Sequence, residues 1–369
     1  MSKITRAALI TLLIFSMCGC GAAVTQPNSA AQTAGASAAQ TAGASVTQTA
    51  AVSDTPAPQA SAARPVTDQA GRAVEIKGPV ERIVSGYYIS SSVCIALGLA
   101  DKLVGIEAKA ATRPIYALAK PELLKLPDTG TAKNFNLEAC LALKPDLVIL
   151  PYSLKDSADI MGGMGVPAIL VNPENYAGLK EMITLIGAAA GAEEKAGLLT
   201  GYLDKERADL TKLTSGLTSR PGVLFCGGGS YLSAAAKDMY QADLIEMAGG
   251  RNAAGEITGG AWAKVSYEQL LAMNPEVMVI PSEAGYTKAD ILGDPQLSGL
   301  AAVKSGRVYH MPSDFEAWDS PLPSGLLGAK WLLSELHGDI YPLGALREDA
   351  AGYYKEFYGI DIDISLIGN

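Results

Sequence analysis

The sequence predicts an α/β protein with mainly parallel sheets, arranged as two similar halves. Three observations carry this prediction. Short runs of β-branched residues alternate with helical stretches, a pattern typical of crossover units. A segment of the first half recurs in the second half at a constant offset of 130 residues. A long amphipathic stretch lies between the two copies and predicts a connecting helix.

The amino terminus, residues 1–20, has the features of an export signal. Lys3 and Arg6 precede the apolar run 7–15, which is too short to span a bilayer, and small residues follow. The tail Met-Cys-Gly-Cys resembles a bacterial lipobox, in which Cys20 is acylated and becomes the first residue. We therefore expect a protein held by lipid chains, palmitate among them, on the outer face of the cytoplasmic membrane. Ordinary secretion with cleavage near Gly21 is the alternative.

Residues 21–62 predict a disordered linker. The segment consists almost entirely of Ala, Thr, Ser, Gln and Pro, and the octapeptide AAQTAGAS occupies 30–37 and again 38–45. It has no periodic apolar face with which to pack. A flexible coil of about 42 residues spans on the order of 35 Å, so the linker can serve as a tether.

The remaining chain is expected to form an N-terminal lobe over 63–190, a connecting helix over 191–218 and a C-terminal lobe over 219–369. The helix is predicted because apolar residues from Leu199 to Leu217 share one face and charged residues cover the others. A single stiff helix between lobes permits only a small hinge motion, whereas a crossover helix packed on a sheet is the alternative. The predicted strands are 82–85, 102–106, 146–150 and 167–171 in the first lobe and 222–225, 277–280 and 307–310 in the second.

The internal match supports two similar lobes. Residues 136–151 align without gaps with residues 266–281, and five of the 16 positions are identical. Each copy predicts a capping residue, a short helix, a proline-marked turn and a buried strand. Because helix–proline–strand units are common in α/β proteins, chance similarity is the alternative. The identical pairs are Glu138/Glu268, Leu141/Leu271, Ala142/Ala272, Pro145/Pro275 and Pro151/Pro281.

Composition excludes several classes of partner and cofactor. The chain has 29 Lys and Arg against 38 Asp and Glu, a net charge of −9, which is the opposite of a nucleic-acid-binding surface. Two histidines, His310 and His337, are too few for a His-rich metal site, and we expect no resident metal or cofactor. Cys94, Cys140 and Cys226 each lie in an apolar run and are expected to be buried free thiols.

Several segments together resemble the substrate-binding lipoproteins of ABC importers for ferric siderophores, haem and cobalamin, class III of the periplasmic binding proteins. These segments are 66–76 followed by 82–84, 136–149, 244–255 and 265–280, within a similarity that covers roughly residues 64–360. The resemblance implies two Rossmann-like lobes joined by one long α-helix, a ligand cleft between the lobes and limited closure. It also implies a non-enzymatic monomer that serves an ABC permease dimer with its ATPase.

Glu138 and Glu268 are the candidate docking residues. Each lies in the first helical turn after a capping residue, Asn136 or Ser266, where an acidic side chain also compensates the helix dipole. Taken singly, that structural role would suffice as an explanation. The repeat favours a second role, since equivalent positions on two lobes present two carboxylates to a two-fold partner. In the family that the chain resembles, the matching glutamates dock onto arginines of the permease.

Candidate ligand-binding residues follow the predicted strands, because open α/β sheets bind ligands at the carboxyl ends of their strands. Tyrosine and tryptophan offer large apolar faces with one polar group, which suits an organic chelate or macrocycle. Each could equally pack on its own loop, and the arginine could pair with a surface carboxylate. The candidates are Tyr87, Tyr88, Arg113, Tyr152, Tyr231, Trp262 and Trp318.

His310 ends a predicted strand and is weighed as a haem or metal ligand. Axial ligation requires the ring to face the cleft, so a hydrogen-bonded rim or core histidine is the favoured interpretation. The cargo is expected to be a small-molecule chelate of the ferric siderophore or cobalamin type, which carries its own iron or cobalt. Haem and an oxyanion such as molybdate follow as alternatives.

Two other function classes compete with a transport receptor. A surface hydrolase is disfavoured because no GxSxG or HExxH motif and no Ser/His/Asp set in a recognisable context occurs. An adhesive lipoprotein would have no use for a cleft between two lobes.

Overall fold

The computed structural model describes residues 63–259 and 261–368. The export signal, the acylation site Cys20 and the linker lie outside these residues and stay predictions. In the described part of the chain, no helix is long and apolar enough to cross a bilayer. Cys94, Cys140 and Cys226 are buried free thiols, as predicted. Burial raises the pKa of Cys94 and Cys226 to about 12 and that of Cys140 to about 11.

The N-terminal lobe contains a four-stranded parallel sheet. Its elements are β1 (Arg64–Thr67), β2 (Ala73–Ile76), β3 (Ile83–Ser85), α1 (Tyr88–Ala96), β4 (Leu103–Gly105), α2 (Pro114–Ala119), β5 (Gly130–Thr131), β6 (Asn134–Phe135), α3 (Leu137–Ala142), β7 (Leu147–Pro151), α4 (Lys155–Gly163), β8 (Ala168–Val171) and α5 (Tyr176–Ala190). The sheet order is β4-β3-β7-β8, and β1 and β2 form a separate antiparallel pair. All four predicted strands occur, each within one residue of its predicted bounds.

The connecting helix and the C-terminal lobe follow. Their elements are α6 (Glu193–Thr214), β9 (Gly222–Gly227), β10 (Ser230–Ala235), α7 (Tyr240–Met247), β11 (Arg251–Asn252), β12 (Trp262–Lys264), α8 (Tyr267–Met273), β13 (Val277–Ile280), α9 (Lys288–Leu292), α10 (Ala301–Ser305), β14 (Val308–His310), α11 (Gly325–Leu336) and α12 (Leu343–Tyr358). Strands β11, β9, β13 and β14 pair in parallel, in the same order as the first sheet. Strands β10 and β12 add an antiparallel ribbon beside β9, so the prediction of mainly parallel sheets is confirmed.

The repeat at offset 130 has the same local structure in both lobes. Asn136 and Ser266 cap α3 and α8, and the inner strands β7 and β13 follow. The carboxylate of Asp146 accepts the backbone N–H groups of the two residues just before β3, and Glu276 accepts the first N–H of β9. An acidic residue directly after the proline of each unit therefore fixes the start of the neighbouring strand.

The inner strands bury their two faces in different layers. In β13, Val277 and Val279 belong to an apolar cluster that also contains residues of the first sheet, whereas Met278 and Ile280 pack with the outer helices of the C-terminal lobe. Strand β7 alternates in the same way between the shared cluster and an outer one. Because apolar side chains of both sheets form one continuous core, we expect lobe closure to be small.

Helix α6 packs against α5 of the N-terminal lobe and against α7 and α11 of the C-terminal lobe. Lys330 of α11 is 6 % exposed and pairs with Glu206 of α6 and, at 2.5 Å, with Asp349 of α12. Truncating one member of such a buried network leaves the others uncompensated. The connecting helix is therefore held firmly by the C-terminal lobe.

Candidate functional site

A cavity of about 360 Å³ lies where the carboxyl ends of the strands of both lobes meet. The N-terminal lobe contributes Tyr87 and Tyr88 after β3 and Glu174 after β8. The C-terminal lobe contributes Trp262 of β12 and the loop after β13, which begins at Pro281. This is the position that the sheet topology predicts for a ligand.

A smaller chamber of about 210 Å³ adjoins the cavity and shares Tyr88, Ser282 and Glu283 with it. Arg113 and Phe315 complete much of its wall. The two spaces together form the cleft, whose walls come from both lobes.

Tyr87 and Tyr88 form the aromatic wall of the N-terminal lobe. Their rings meet edge to face with centroids 5.3 Å apart. The Tyr88 hydroxyl donates a hydrogen bond of 3.1 Å to Ser320 Oγ of the other lobe, whereas Tyr87 is half-buried at the cavity. Burial raises the pKa of both phenols, so both remain protonated donors at any physiological pH.

Arg113 is the cation of the cleft. Its guanidinium carbon lies 3.9 Å from the centre of the Tyr88 ring, and its Nη1 lies 3.3 Å from Glu283 Oε1 across the lobes. Its Nε lies 3.8 Å from Oε1 of the buried Glu107. The Arg113 side chain is only 16 % exposed, so stacking and ion pairing hold the guanidinium in place before any ligand arrives.

The buried Glu107 lies beside Arg113 and is itself held by hydrogen bonds. Ser91 Oγ donates to it at 2.5 Å and the Tyr116 hydroxyl at 2.7 Å. Burial nevertheless raises the pKa of Glu107 above its ordinary value. The two hydroxyls fix the position of the Glu107 carboxyl, which in turn orients Arg113.

Asp319 shapes the wall of the C-terminal lobe. It accepts the Ser282 backbone N–H at 3.0 Å and the Ser282 hydroxyl at 2.6 Å, and its own backbone carbonyl accepts the Gln241 amide at 2.8 Å. Burial raises the pKa of Asp319. These bonds fix the loop after β13 that borders both parts of the cleft.

The sequence located part of this site. Tyr87, Tyr88, Arg113 and Trp262 lie at the cleft, where their positions after strands or in glycine-rich loops predicted them. Most of the other cleft residues were missed, although the same strand-end rule points to many of them, because short polar loop residues give no signal of their own. The missed residues include Glu174, Ser282, Glu283, Asp319 and Ser320.

Three predicted contacts need correction. Trp318 is 1 % exposed and donates its indole N–H to the Tyr354 hydroxyl at 3.0 Å, so it is a core residue. The Tyr231 hydroxyl donates to Asp294, and the ring lines neither part of the cleft. Tyr152 is 48 % exposed just beyond β7 and also lines neither part.

The histidines and the docking candidates lie apart from the cleft. His310 is exposed, its Nδ1 is 3.1 Å from the Met311 carbonyl oxygen, and it lines neither part of the cleft. Within the described ranges, no group of three or more His, Cys, Asp or Glu is placed to hold a metal ion. Glu138 and Glu268 are exposed in the first turns of α3 and α8. The Ser266 hydroxyl and a backbone N–H lower the pKa of Glu268, so this carboxylate stays charged.

Known proteins share this architecture. The chain is 26% identical over 323 residues to the molybdate-binding protein MolA of Haemophilus influenzae, which covers 81% of this chain and 92% of that protein. It is 28% identical over 300 residues to the uncharacterized ABC transporter substrate-binding lipoprotein YvrC of Bacillus subtilis, covering 78% and 90% of the two chains. The crystal structure of a periplasmic solute binding protein from Veillonella parvula matches with a TM-score of 0.72 at 28% identity, over 83% of this chain and 95% of that one.

The model of one protein family, described as periplasmic binding protein, matches residues 83–315. This match spans both sheets and every strand end that borders the cleft. Since it covers more than half of the chain, the chain belongs to the periplasmic binding protein family.

Proposed function

We propose that this protein is the lipid-anchored substrate-binding component of an ABC importer and that its cargo is an iron-siderophore or cobalamin-type chelate. It binds the chelate without chemical change and delivers it to a permease dimer coupled to an ATPase. It acts as a monomer on the outer face of the cytoplasmic membrane, held there by acylated Cys20. Membership of the family and similarity to a protein named as an ABC transporter lipoprotein support this assignment.

One observation carries the proposal, namely the cavity bordered by aromatic rings from both lobes. Tyr87 and Tyr88 face it from one side and Trp262 from the other. Trp262 is 39 % exposed, which is unusual for so large an apolar side chain and leaves part of it accessible to a ligand. Such walls suit the extended organic surface of a chelate or macrocycle.

The charge of the cleft favours a neutral or cationic chelate over an oxyanion. Glu174 and Glu283 are exposed at its rim, and Arg113 already pairs with Glu283. A doubly negative oxyanion would therefore meet more carboxylate than free guanidinium. A chelate with buried metal charge avoids this repulsion.

A molybdate-type oxyanion is the second candidate because MolA is named for molybdate. Haem is a further alternative. Fold and family do not determine the ligand, since the residues of the cleft do. The residues that line this cleft carry the assignment to a chelate.

Glu138 and Glu268 form the proposed docking pair for the permease. Both are exposed, both sit in the first turn of equivalent helices, and neither has an ion-pair partner in the described part of the chain. Exposed carboxylates of this kind determine orientation and association rate more than affinity. A pair on two similar lobes complements cationic side chains on a two-fold permease.

The ligand assignment is tested by fluorescence titration of the purified protein with ferrioxamine B, cyanocobalamin, haemin and sodium molybdate. We expect saturable quenching by one of the first two, because Trp262 borders the cleft whereas Trp318 and Trp331 are buried. In Trp262→Phe most of this quenching should disappear. Binding of molybdate with no response to either chelate would overturn the assignment.

Docking is tested with the double variant Glu138→Ala/Glu268→Ala in a transport assay with reconstituted permease. We expect uptake to fall at least 10-fold with unchanged ligand affinity, since the two carboxylates lie outside the cleft. The matched control is Glu122→Ala/Glu348→Ala, which removes one exposed glutamate from each lobe without touching α3 or α8. Wild-type uptake by the first variant would refute the docking assignment.

A further inference from the structure

Asp294 links three separate elements of the C-terminal lobe. Its Oδ2 accepts hydrogen bonds from the Tyr231 hydroxyl at 3.0 Å and from the Tyr267 hydroxyl at 2.8 Å. Its Oδ1 accepts the Gln296 backbone N–H at 2.9 Å. Partial burial opposes ionisation, yet these hydrogen bonds lower the pKa of Asp294 below its ordinary value. A charged carboxylate thus receives two phenols from different parts of the chain.

Tyr267 connects this carboxylate to the proposed docking helix. It is the first residue of α8, directly between the capping residue Ser266 and Glu268. Its hydroxyl bond to Asp294 therefore restrains the turn that carries the Glu268 carboxylate. Ser266 and Gln269 cap the same turn reciprocally, with bonds of 3.2 and 2.8 Å.

Tyr231 connects the same carboxylate to the sheet. It lies in β10, and its ring packs edge to face on Tyr286 with centroids 5.4 Å apart. The Tyr286 hydroxyl donates to the Gly227 carbonyl oxygen at the end of β9, at 2.9 Å. Asp294 therefore ties the first turn of α8 to a strand and not merely to a neighbouring loop.

We propose that Asp294, through the Tyr231 and Tyr267 hydroxyls, is the positioning residue that aims Glu268 at a cationic partner surface. The proposal rests on the proposed docking role of Glu268 and adds a second group that orients it, beside the Ser266 hydroxyl that bonds to Glu268 directly. Hydrogen bonds to an ionised acceptor are directional and stronger than neutral ones, so the bond from Tyr267 can hold the first turn of α8 in addition to its cap. Neither tyrosine needs to touch the partner.

The N-terminal lobe offers an internal comparison. The residue equivalent to Tyr267 is Leu137, which packs in an apolar cluster and has no hydroxyl. The first turn of α3 is held by the single Asn136 cap. Among the two docking helices, only α8 thus has its first turn restrained by a carboxylate. Loss of that restraint should leave the position of Glu138 unchanged.

The test compares Tyr267→Phe, Asp294→Asn and Glu268→Ala in the full-length lipoprotein. Docking is measured as binding of the loaded protein to its ABC permease complex in nanodiscs. We expect Tyr267→Phe to weaken docking about 3- to 10-fold with ligand affinity unchanged, which is less than the full effect of a lost hydrogen bond to a charged group because this bond acts on Glu268 only through the helix turn. Asp294→Asn keeps an acceptor oxygen and should weaken docking less. Tyr309→Phe, whose hydroxyl has no hydrogen-bond partner among the described residues, is the control.

A second readout does not need the permease. Amide hydrogen exchange at residues 267–270 should accelerate in Tyr267→Phe and stay unchanged at residues 137–140, because only α8 loses a restraint. Faster exchange together with weaker docking supports the proposal. If Glu268→Ala docks like wild type, the docking site itself is misassigned. If Glu268→Ala docks weakly while Tyr267→Phe and Asp294→Asn match wild type in both readouts, Asp294 does not position Glu268.

Discussion

The two copies of the cap–helix–proline–strand unit, residues 136–151 and 266–281, follow the same backbone course but are fixed by different interactions. In the N-terminal copy, Asn136 Oδ1 accepts one bond from the Ala139 N–H at 2.9 Å. In the C-terminal copy, Ser266 and Gln269 satisfy each other's backbone N–H groups. A reciprocal cap leaves fewer free donors at the helix start than a single cap does.

The copies also differ at the buried residue of the helix and at the residue with positive φ that follows the helix. Cys140 and Leu270 are equivalent and both fully buried, but the leucine fills more of its core. Lys144 and Asn274 are equivalent and both have positive φ, 49° and 41°. Only Asn274 uses its side chain there, accepting the Ala301 N–H at 3.0 Å.

This comparison separates what determines the backbone from what stabilises it. The shared features, a capping residue, a proline after the helix and a buried strand, are enough to give both copies one conformation. The positions that differ decide how strongly each copy is held. At the cap, at the buried position and at the residue with positive φ, the C-terminal copy makes the stronger interactions, whereas the acidic residue after the proline accepts two N–H groups in the N-terminal copy and one in the C-terminal copy.

The largest difference in stability between the copies is expected at the buried position, Leu270 or Cys140. Leu270→Ala should lower the free energy of unfolding by about 2–5 kcal/mol, because three carbons leave a closed cluster and a cavity remains. Cys140→Ala removes one sulfur atom and should cost about 1 kcal/mol. Denaturant unfolding of both variants at constant m-value gives the two losses.

Equal losses at both positions would break the comparison, since they would mean that the two outer cores are packed equally well. Leu271→Ala is a suitable control in α8. That side chain is 42 % exposed, so its removal should change stability little.

The caps give a smaller difference. Ser266→Ala should destabilise the protein by about 1–2 kcal/mol, because it breaks a reciprocal pair, and Asn136→Ala by about 1 kcal/mol. Thermal unfolding of the two variants measures the two losses of stability. Adding Gln269→Ala to Ser266→Ala should cost little more, since the partner bond is already weakened. A strictly additive double variant would show that the two bonds act independently.

Most of the sheet core could be predicted from sequence because it consists of short β-branched runs that are buried on both faces. Strands β10, β11 and β12 could not. Residues 230–235 include two serines and two alanines and do not form a β-branched run, and β11 and β12 have only two and three residues. Their extended conformation comes from pairing beside β9, which no local pattern encodes.

The site, like the sheets, could be predicted only in part. The strand-end rule located the loops of the cleft, but it could not say where each side chain points. Trp318 follows the last strand, yet its indole bonds to Tyr354, 36 residues later in α12. Asp319, the next residue, turns to the cleft wall and binds Ser282. The direction of a loop side chain depends on such distant partners, so sequence alone leaves it open.

The smallest expected change in stability is at the residue with positive φ, Lys144 or Asn274. Lys144→Gly should raise the free energy of unfolding by about 0.5–1 kcal/mol, because glycine adopts positive φ without the steric cost that lysine bears. The exposed Lys144 side chain has no ion-pair partner in the described part of the chain, and the Lys144 carbonyl that accepts the Arg82 guanidinium is retained. Asn274→Gly should instead give no gain, since asparagine tolerates this conformation and its bond to the Ala301 N–H is lost. Paired denaturant titrations decide between the two outcomes. A similar gain at both positions would mean that the Asn274 side chain contributes nothing, and the C-terminal copy would then owe its firmer hold to its cap and its core alone.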